Sequence, residues 1–382
     1  MGSDGAVATV RQALSAETAG ARYTAAYRSG RWDGVACLLR RPGNTFPAGL
    51  VDRVAAALGA AGHVVEVLED EPPALSVPAG GLRGVELRPY QLAAVAEALH
   101  RRRVALEVPT GAGKTEVGAE IIRRGPAPAL WLTHRSELAA QTADRLRLRL
   151  GCVIGRIGEG AWAPGPVTVG MVPTLARRLK TRDRAAAVYL AGVRTLVLDE
   201  AHHGGAETWL RVAEACAGAR LRVGLSGTVL TGDPLRDLRL EGAAGPRVVV
   251  AETAELSAAG FLATPTVRLL EPPRASYPTY EEVREAVLPT WRTDARPLQR
   301  LGTKLYEEAY RRGVAGNAAR SGAIVAAVAR HYLAGEKVLL LADLRAHGAD
   351  LDRLADAAGL GRRWFLTGED VGRTEALGRF RV

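Results

Sequence analysis

The sequence predicts an α/β fold whose parallel sheet is covered by helices on both faces, and three observations carry that prediction. From Leu87 onward, short apolar runs alternate with helical stretches. A glycine-bearing loop, Val108-Pro109-Thr110-Gly111-Ala112-Gly113-Lys114-Thr115, sits between the apolar run Val104-Ala105-Leu106 and a helix-like segment from Glu116 to Arg124. A later apolar run, Thr195–Leu198, ends in the adjacent carboxylates Asp199 and Glu200. In such sheets, functional loops collect at the carboxyl ends of the strands.

Taken in order, residues 1 to about 20 read as a weak helix or a frayed end. Val35–Leu39 is strand-like, Arg41-Pro42-Gly43-Asn44 is turn chemistry, Leu50–Leu58 has helical spacing, and Val64–Leu68 reads as another strand. Together they predict a small α+β module, residues 1–80, that closes in a linker from Glu69 to Gly84 rich in Pro and Gly. The predicted main domain, residues 81–262, takes its strands from Val104–Glu107, Ala129–Leu132, Val167–Gly170, Thr195–Leu198 and Leu221–Leu225, with helices such as Ser136–Leu150 and Thr174–Arg182 between them. Residues 263–320 form a proline-containing connector with a helix from Leu301 to Arg312. A second α/β pattern occupies 321–382: helix Ile324–His331, strand Lys337–Leu341, a helix near Leu351–Ala358, and Trp364–Leu366.

Bulk properties narrow the class. A chain of 382 residues calls for two or three cores. With 47% hydrophobic and 24% charged residues, the composition is that of a globular protein, and no apolar stretch approaches the length of a membrane span. Met1–Gly5 lacks a basic stretch followed by an apolar core, so no secretory signal is expected and the cytoplasm is the default location. Cys37, Cys152 and Cys216 lie far apart, which argues against a disulfide framework or a zinc site. A net charge of +10 favours a polyanionic partner such as nucleic acid. Only four residues are lysines, however, so the charge is almost all Arg scattered along an Ala- and Gly-rich chain, as compositional bias alone would also produce.

The loop at 108–115 has the chemistry of a phosphate cradle. Glycines allow close backbone approach, and the N–H groups at a helix N-terminus present positive charge to an anion. Lys114 is placed to reach the β- and γ-phosphates, and the Thr115 hydroxyl to hold Mg²⁺. Val108 stands where the pattern usually has Gly or Ala. Hydrolysis of a phosphoanhydride needs a metal ligand and a residue for the attacking water. Asp199 at the strand end suits the metal, Glu200 suits the water, and His202 lies beside the pair.

Asp199-Glu200-Ala201-His202, together with Pro109–Thr115, resembles motifs II and I of superfamily 2 helicases of the DEAH/DEXH kind. Other segments agree in order. Leu87-Arg88-Pro89-Tyr90-Gln91 resembles the stretch before motif I, whose glutamine contacts adenine in that family. Trp131–Leu138 with Gln141 resembles motif Ia, Thr168–Leu175 resembles motif Ib, and Gly224-Leu225-Ser226-Gly227-Thr228 resembles motif III, with Gly227 where many relatives have Ala. Arg31-Trp32-Asp33-Gly34 followed by Phe46–Leu50 resembles the accessory domain of UvsW-like helicases, related to the XPB branch, and Tyr310–Val314 with Asn317 and Arg320 is similar to that group's approach to its second domain.

The resemblance implies a RecA-like P-loop NTPase sheet, a small N-terminal α+β domain and an incomplete second RecA-like domain. It implies ATP and Mg²⁺ as ligands, with Arg88, Gln91, Thr110, Gly111, Ala112, Gly113, Lys114 and Thr115 around the nucleotide, Thr115 and Asp199 on the metal, and Lys114, Asp199, Glu200 and His202 in hydrolysis. Ser226 and Thr228 would couple hydrolysis to the nucleic-acid surface, where His134, Arg135 and Thr174 would touch the backbone of single-stranded, duplex or branched DNA. Repair, replication or nuclease proteins are the implied partners, and a membrane is not. No Gln-x-x-Gly-Arg-x-x-Arg segment like motif VI occurs before Val382. The expectation is therefore a C-terminally truncated helicase or translocase with weak turnover of its own. Two alternatives stay open: the motor subunit of a restriction-type nuclease system, and an ATP- and DNA-binding fragment with little hydrolysis.

Overall fold

The main sheet has eight strands in the order β10-β3-β9-β8-β4-β7-β5-β6. Two short strands outside it are β1 (Ser15–Glu17) and β2 (Val35–Cys37). Those in the sheet are β3 (Arg103–Glu107), β4 (Ala129–Thr133), β5 (Gly155–Gly158), β6 (Ala161–Ala163), β7 (Val167–Met171), β8 (Thr195–Asp199), β9 (Leu221–Ser226) and β10 (Arg247–Val249). Every pairing is parallel except β5 with β6. This computed structural model describes residues 4–68, 80–272, 277–293, 301–361, 363–367, 376 and 379–380. The chain divides into two units, Met1–Thr264 and Pro265–Val382.

The central strands are apolar on both faces because helices cover both. Val104 and Leu106, Trp131, Val197 and Val223 point to one side, where they meet the helices Pro89–Arg101, Lys114–Arg124 and Ser136–Leu150. Their alternates Ala105, Leu130, Leu132, Leu196 and Leu198 meet the helices Val172–Lys180, Arg184–Gly192, Glu207–Ala215 and Pro234–Ala244 on the other. All five main-domain strands expected from the sequence form, each within a residue of its expected ends. The short strands β1, β5 and β6 carry too few apolar residues to signal themselves, β10 is a brief valine run at the sheet edge, and all four are held by their neighbours.

One helix-to-strand contact is unusually close. A Cβ on Gly118 would lie 2.3 Å from Trp131 Cζ3 and 2.9 Å from Leu225 Cδ1. Gly118→Ala is therefore expected to destabilise the fold by about 2 kcal/mol through overpacking. Gly59→Ala, where a Cβ meets open space, should be neutral or stabilising. Urea denaturation of the two variants checks this; equal stability would contradict the packing described.

The N-terminal module folds against the main sheet's helices. Of the two readings of the N-terminus, the helix holds, over Asp4–Ala13; β1 and β2 pair antiparallel, and helix Val51–Ala60 packs behind them. Leu14, Leu50 and Val54 share a small core with Leu238 of helix Pro234–Ala244, and Arg53 pairs with Glu241 in a bidentate ion pair. The strand expected at 64–68 does not form. Val64 and Leu68 are exposed and find no partner strand, so their apolar character does not organise them. Residues 69–79 of the expected linker lie outside the described residues.

In the unit Pro265–Val382 the described elements are helices: Tyr280–Thr293, Leu301–Tyr310, Ala318–Leu333 and Arg345–Ala357. Asn317 is buried and caps the third of these, accepting the Arg320 N–H at 3.0 Å and donating to the Gly313 carbonyl at 3.2 Å. Tyr310 donates to Asp343 at 3.0 Å. The strand expected at 337–341 is absent, and residues 364–366 form neither helix nor strand. Leu339–Leu341 are exposed, and among the described residues no sheet of this unit offers them a partner. No described helix is long and apolar enough to cross a membrane.

Candidate functional site

The carboxyl ends of β3, β9 and β8, adjacent in the sheet, gather most of the residues singled out from the sequence. After β3 the chain turns through the 108–113 loop into helix Lys114–Arg124. Val108 is fully buried in the core and donates its N–H to the Ser226 carbonyl at 2.8 Å, so this irregular first residue faces inward and leaves the cradle to the glycines. Gly111 and Gly113 have φ of 83° and 82°. A Cβ on Gly113 would also lie 2.3 Å from Gln91 Nε2, so glycine is required there twice over.

Behind the loop, the buried Gln91 bridges two segments. Its Nε2 donates to the Ala112 carbonyl and its Oε1 accepts the Arg88 N–H, both at 2.9 Å. Tyr90 donates its hydroxyl to the same Ala112 carbonyl at 2.9 Å. Each amide atom of Gln91 keeps one further hydrogen-bonding valence, an N–H and a lone pair.

In front of the loop stands the carboxylate pair. Lys114 Nζ donates to Glu200 Oε1 at 3.0 Å. Glu200 itself takes a left-handed backbone conformation, φ 49°, which turns its side chain back toward the loop. Asp199 accepts from Trp131 Nε1 at 3.3 Å and from the Glu200 N–H at 3.0 Å. Burial, and then the neighbouring Glu200 carboxylate, push the Asp199 carboxyl up to about 6. Two crowded carboxylates, one held ionised at a cost, fit a hard divalent cation. Among the described residues no cluster of three or more His, Cys, Asp and Glu side chains could hold a metal. Asp199 and the Thr115 hydroxyl are the residues that would hold such an ion, with the rest of its shell left to phosphate and water.

His202 links this pair to β9. Its Nδ1 is 2.9 Å from Ser226 Oγ and 3.4 Å from Glu200 Oε2. Because the Ser226 hydroxyl spends its proton on the Thr228 carbonyl at 2.7 Å, the imidazole proton belongs on Nδ1. The loop after β9 is pinned from the other side by Glu107, which accepts the Val229 N–H at 3.0 Å and pairs with Arg247. Gly227 leaves room for Thr110: a Cβ there would come within 2.9 Å of its Oγ1.

The residues matched to nucleic-acid contact sit farther along the same edge. His134 and Arg135 follow β4 and are exposed, whereas Thr174 is half-buried in the helix after β7. One of them reaches the Glu200–His202 pair indirectly: the His134 ring lies 5.6 Å from that of His203, which lies 4.2 Å from His202. Burial and its positive neighbours hold His203 below the ordinary histidine range. Sequence reasoning missed the roles of Trp131, Glu107, His203 and Phe261. The first three act through contacts across strands or loops, which leave no local signal.

Residues 84–230 match the family described as "Type III restriction enzyme, res subunit". The chain is 28% identical over 229 residues to the "DNA 3'-5' helicase XPB" of Kineococcus radiotolerans, covering 58% of this chain and 38% of that protein. It is 29% identical over 144 residues to the "DNA 3'-5' translocase XPB2" of Sulfurisphaera tokodaii, covering 38% and 31%. The matches thus span about a third of either relative's length. The fold resembles the crystal structure of the UvsW helicase from bacteriophage T4, with a TM-score of 0.55 at 23% identity over 65% of this chain and 94% of that one. Over the matched residues the chain is similar to superfamily 2 helicases of the XPB/UvsW branch.

Proposed function

We propose that this protein is an ATP-dependent DNA helicase or translocase, in which Mg-ATP hydrolysis drives movement on or unwinding of DNA. The observation that carries the reading is the Lys114–Glu200 contact, which joins the phosphate loop to the carboxylate pair across β9. Arriving phosphates compete with Glu200 for Lys114, and the released carboxylate is free to orient the attacking water. Gly111, Ala112, Gly113, Lys114 and Thr115 cradle the phosphates, with Thr110 at the mouth of the loop, and Arg88 and Gln91 face the adenine. Asp199 and Thr115 hold Mg²⁺, which when bound screens the charge developing on the phosphate oxygens.

His202, Ser226 and Thr228 form the connection from Glu200 to the loop after β9, the route by which nucleotide state reaches the DNA surface. His134, Arg135 and Thr174 contact phosphates of that surface, so binding is salt-dependent and largely indifferent to sequence. The DEAH-box assignment, a cytoplasmic location and a division at 1–80, 81–262, 263–320 and 321–382 belong to the same proposal. A second reading, the motor of a nuclease system that translocates without unwinding, is favoured by the description of the family matching residues 84–230.

ATPase assays with no nucleic acid, single-stranded, duplex and forked DNA, and RNA provide the test. DNA should raise the rate at least several-fold, and the effect should fall with salt. The absence of stimulation by any DNA would refute the motor reading. Strand displacement on forked substrates separates unwinding from translocation alone.

A further inference from the structure

Helix Thr253–Ala258 ends in a tight reversal: Gly260 takes φ of 73°, and Phe261 and Leu262 both donate their N–H groups to the Leu256 carbonyl, at 2.8 and 3.2 Å. Leu256 is buried in the main core, so the reversal is anchored. It brings Phe261 and Leu262 back against the nucleotide loop. Leu262 Cδ2 lies 3.3 Å from where a Cβ on Gly111 would be. The Arg88 guanidinium stacks 4.6 Å from the centre of the Phe261 ring and donates to the Phe261 carbonyl at 3.4 Å, and the Tyr90 ring lies 5.6 Å away.

We propose that Phe261 is a base-recognition residue: backed by Arg88, it forms the flat platform on which the purine of a bound nucleotide stacks. This rests on the nucleotide reading above and extends it to a residue some 150 positions from the phosphate loop. Gln91 bridges the two ends of the site, touching the loop through Ala112 and the platform through Arg88, and keeps one N–H and one lone pair to offer a base. Phe261 remains 38% exposed although its backbone is fixed, as an aromatic held open for a planar partner should be. A guanidinium stacked on an aromatic ring and tethered to its carbonyl has a fixed plane, so the platform is preorganised.

The test uses the full chain and measures displacement of a fluorescent ATP analogue by ATP and by inorganic tripolyphosphate, for the parent, Phe261→Leu and Phe261→Tyr. Leucine keeps the apolar packing and removes the ring; tyrosine restores it. ATP affinity should fall roughly fivefold in Phe261→Leu and return in Phe261→Tyr, with tripolyphosphate affinity unchanged in both. Equal loss of ATP and tripolyphosphate would make Phe261 a strut for the phosphate loop and overturn the proposal, as would unchanged ATP affinity. If the parent binds neither ligand and Lys114→Ala behaves like the parent, the nucleotide reading itself fails.

Discussion

Replacing Lys114 by Ala should abolish nucleotide binding while leaving the fold intact. Its ammonium lies between the phosphate loop and the carboxylate pair, 3.0 Å from Glu200. A charge-assisted contact to phosphate contributes about 2–3 kcal/mol, so the affinity for a fluorescent ATP analogue should drop at least about thirtyfold. Stability should hardly change. Glu200 is partly solvated, and a pair of this kind contributes about 1 kcal/mol or less. A thermal melt run beside the titration distinguishes lost binding from lost structure. Unaltered affinity in a folded variant would remove Lys114 from the site.

Asp199→Asn should show the opposite pattern, a gain in stability with a loss of activity. The Asp199 carboxyl is raised to about 6 by burial and by Glu200, against an ordinary value near 4. The native state therefore binds a proton that the unfolded chain has already released between about pH 4 and pH 6. The stability that this proton contributes is present below pH ~4 and is lost as pH rises through about 6. At pH 8 the ionised Asp199 costs the fold on the order of 2–3 kcal/mol. Asparagine removes that charge but also one of the two acceptors used by Trp131 and the Glu200 N–H. The net gain at pH 8 should then be about 1–2 kcal/mol, shrinking toward pH 4. Mg²⁺ should stabilise the parent at pH 8 and not at pH 5, and should leave the Asn variant unaffected. Denaturation curves at the two pH values, with and without Mg²⁺, decide the matter; a less stable Asn variant at pH 8 would mean that Asp199 is not held ionised at a cost. Expressing activity through a destabilised carboxylate is a familiar stability–function trade-off.

The chain's own pattern determined the main sheet and the identity of its working loops. Five strands were legible because parallel strands buried on both faces must be apolar at every position, as Leu130-Trp131-Leu132 and Leu196-Val197-Leu198 are. Lys114, Asp199 and Glu200 were expected at strand ends from phosphate chemistry and Ser226 from the resemblance to motif III, and the fold brings all four to the neighbouring ends of β3, β9 and β8. Pattern alone misled at Val64–Leu68 and Lys337–Leu341. An apolar run becomes a strand only when a neighbour accepts its hydrogen bonds, and the described structure supplies none there.

Tertiary structure decided how the site is wired. That Trp131 holds Asp199, that Glu107 pins Val229, that His203 bridges His134 to His202, and that Phe261 returns to Arg88 all depend on distances closed across the sheet or around a helix end. Those contacts join residues 68 to 173 positions apart, apart from the neighbouring pair His202 and His203. No local periodicity encodes them. They follow from the strand order β3-β9-β8-β4, which places loops distant in sequence side by side at one edge of the sheet.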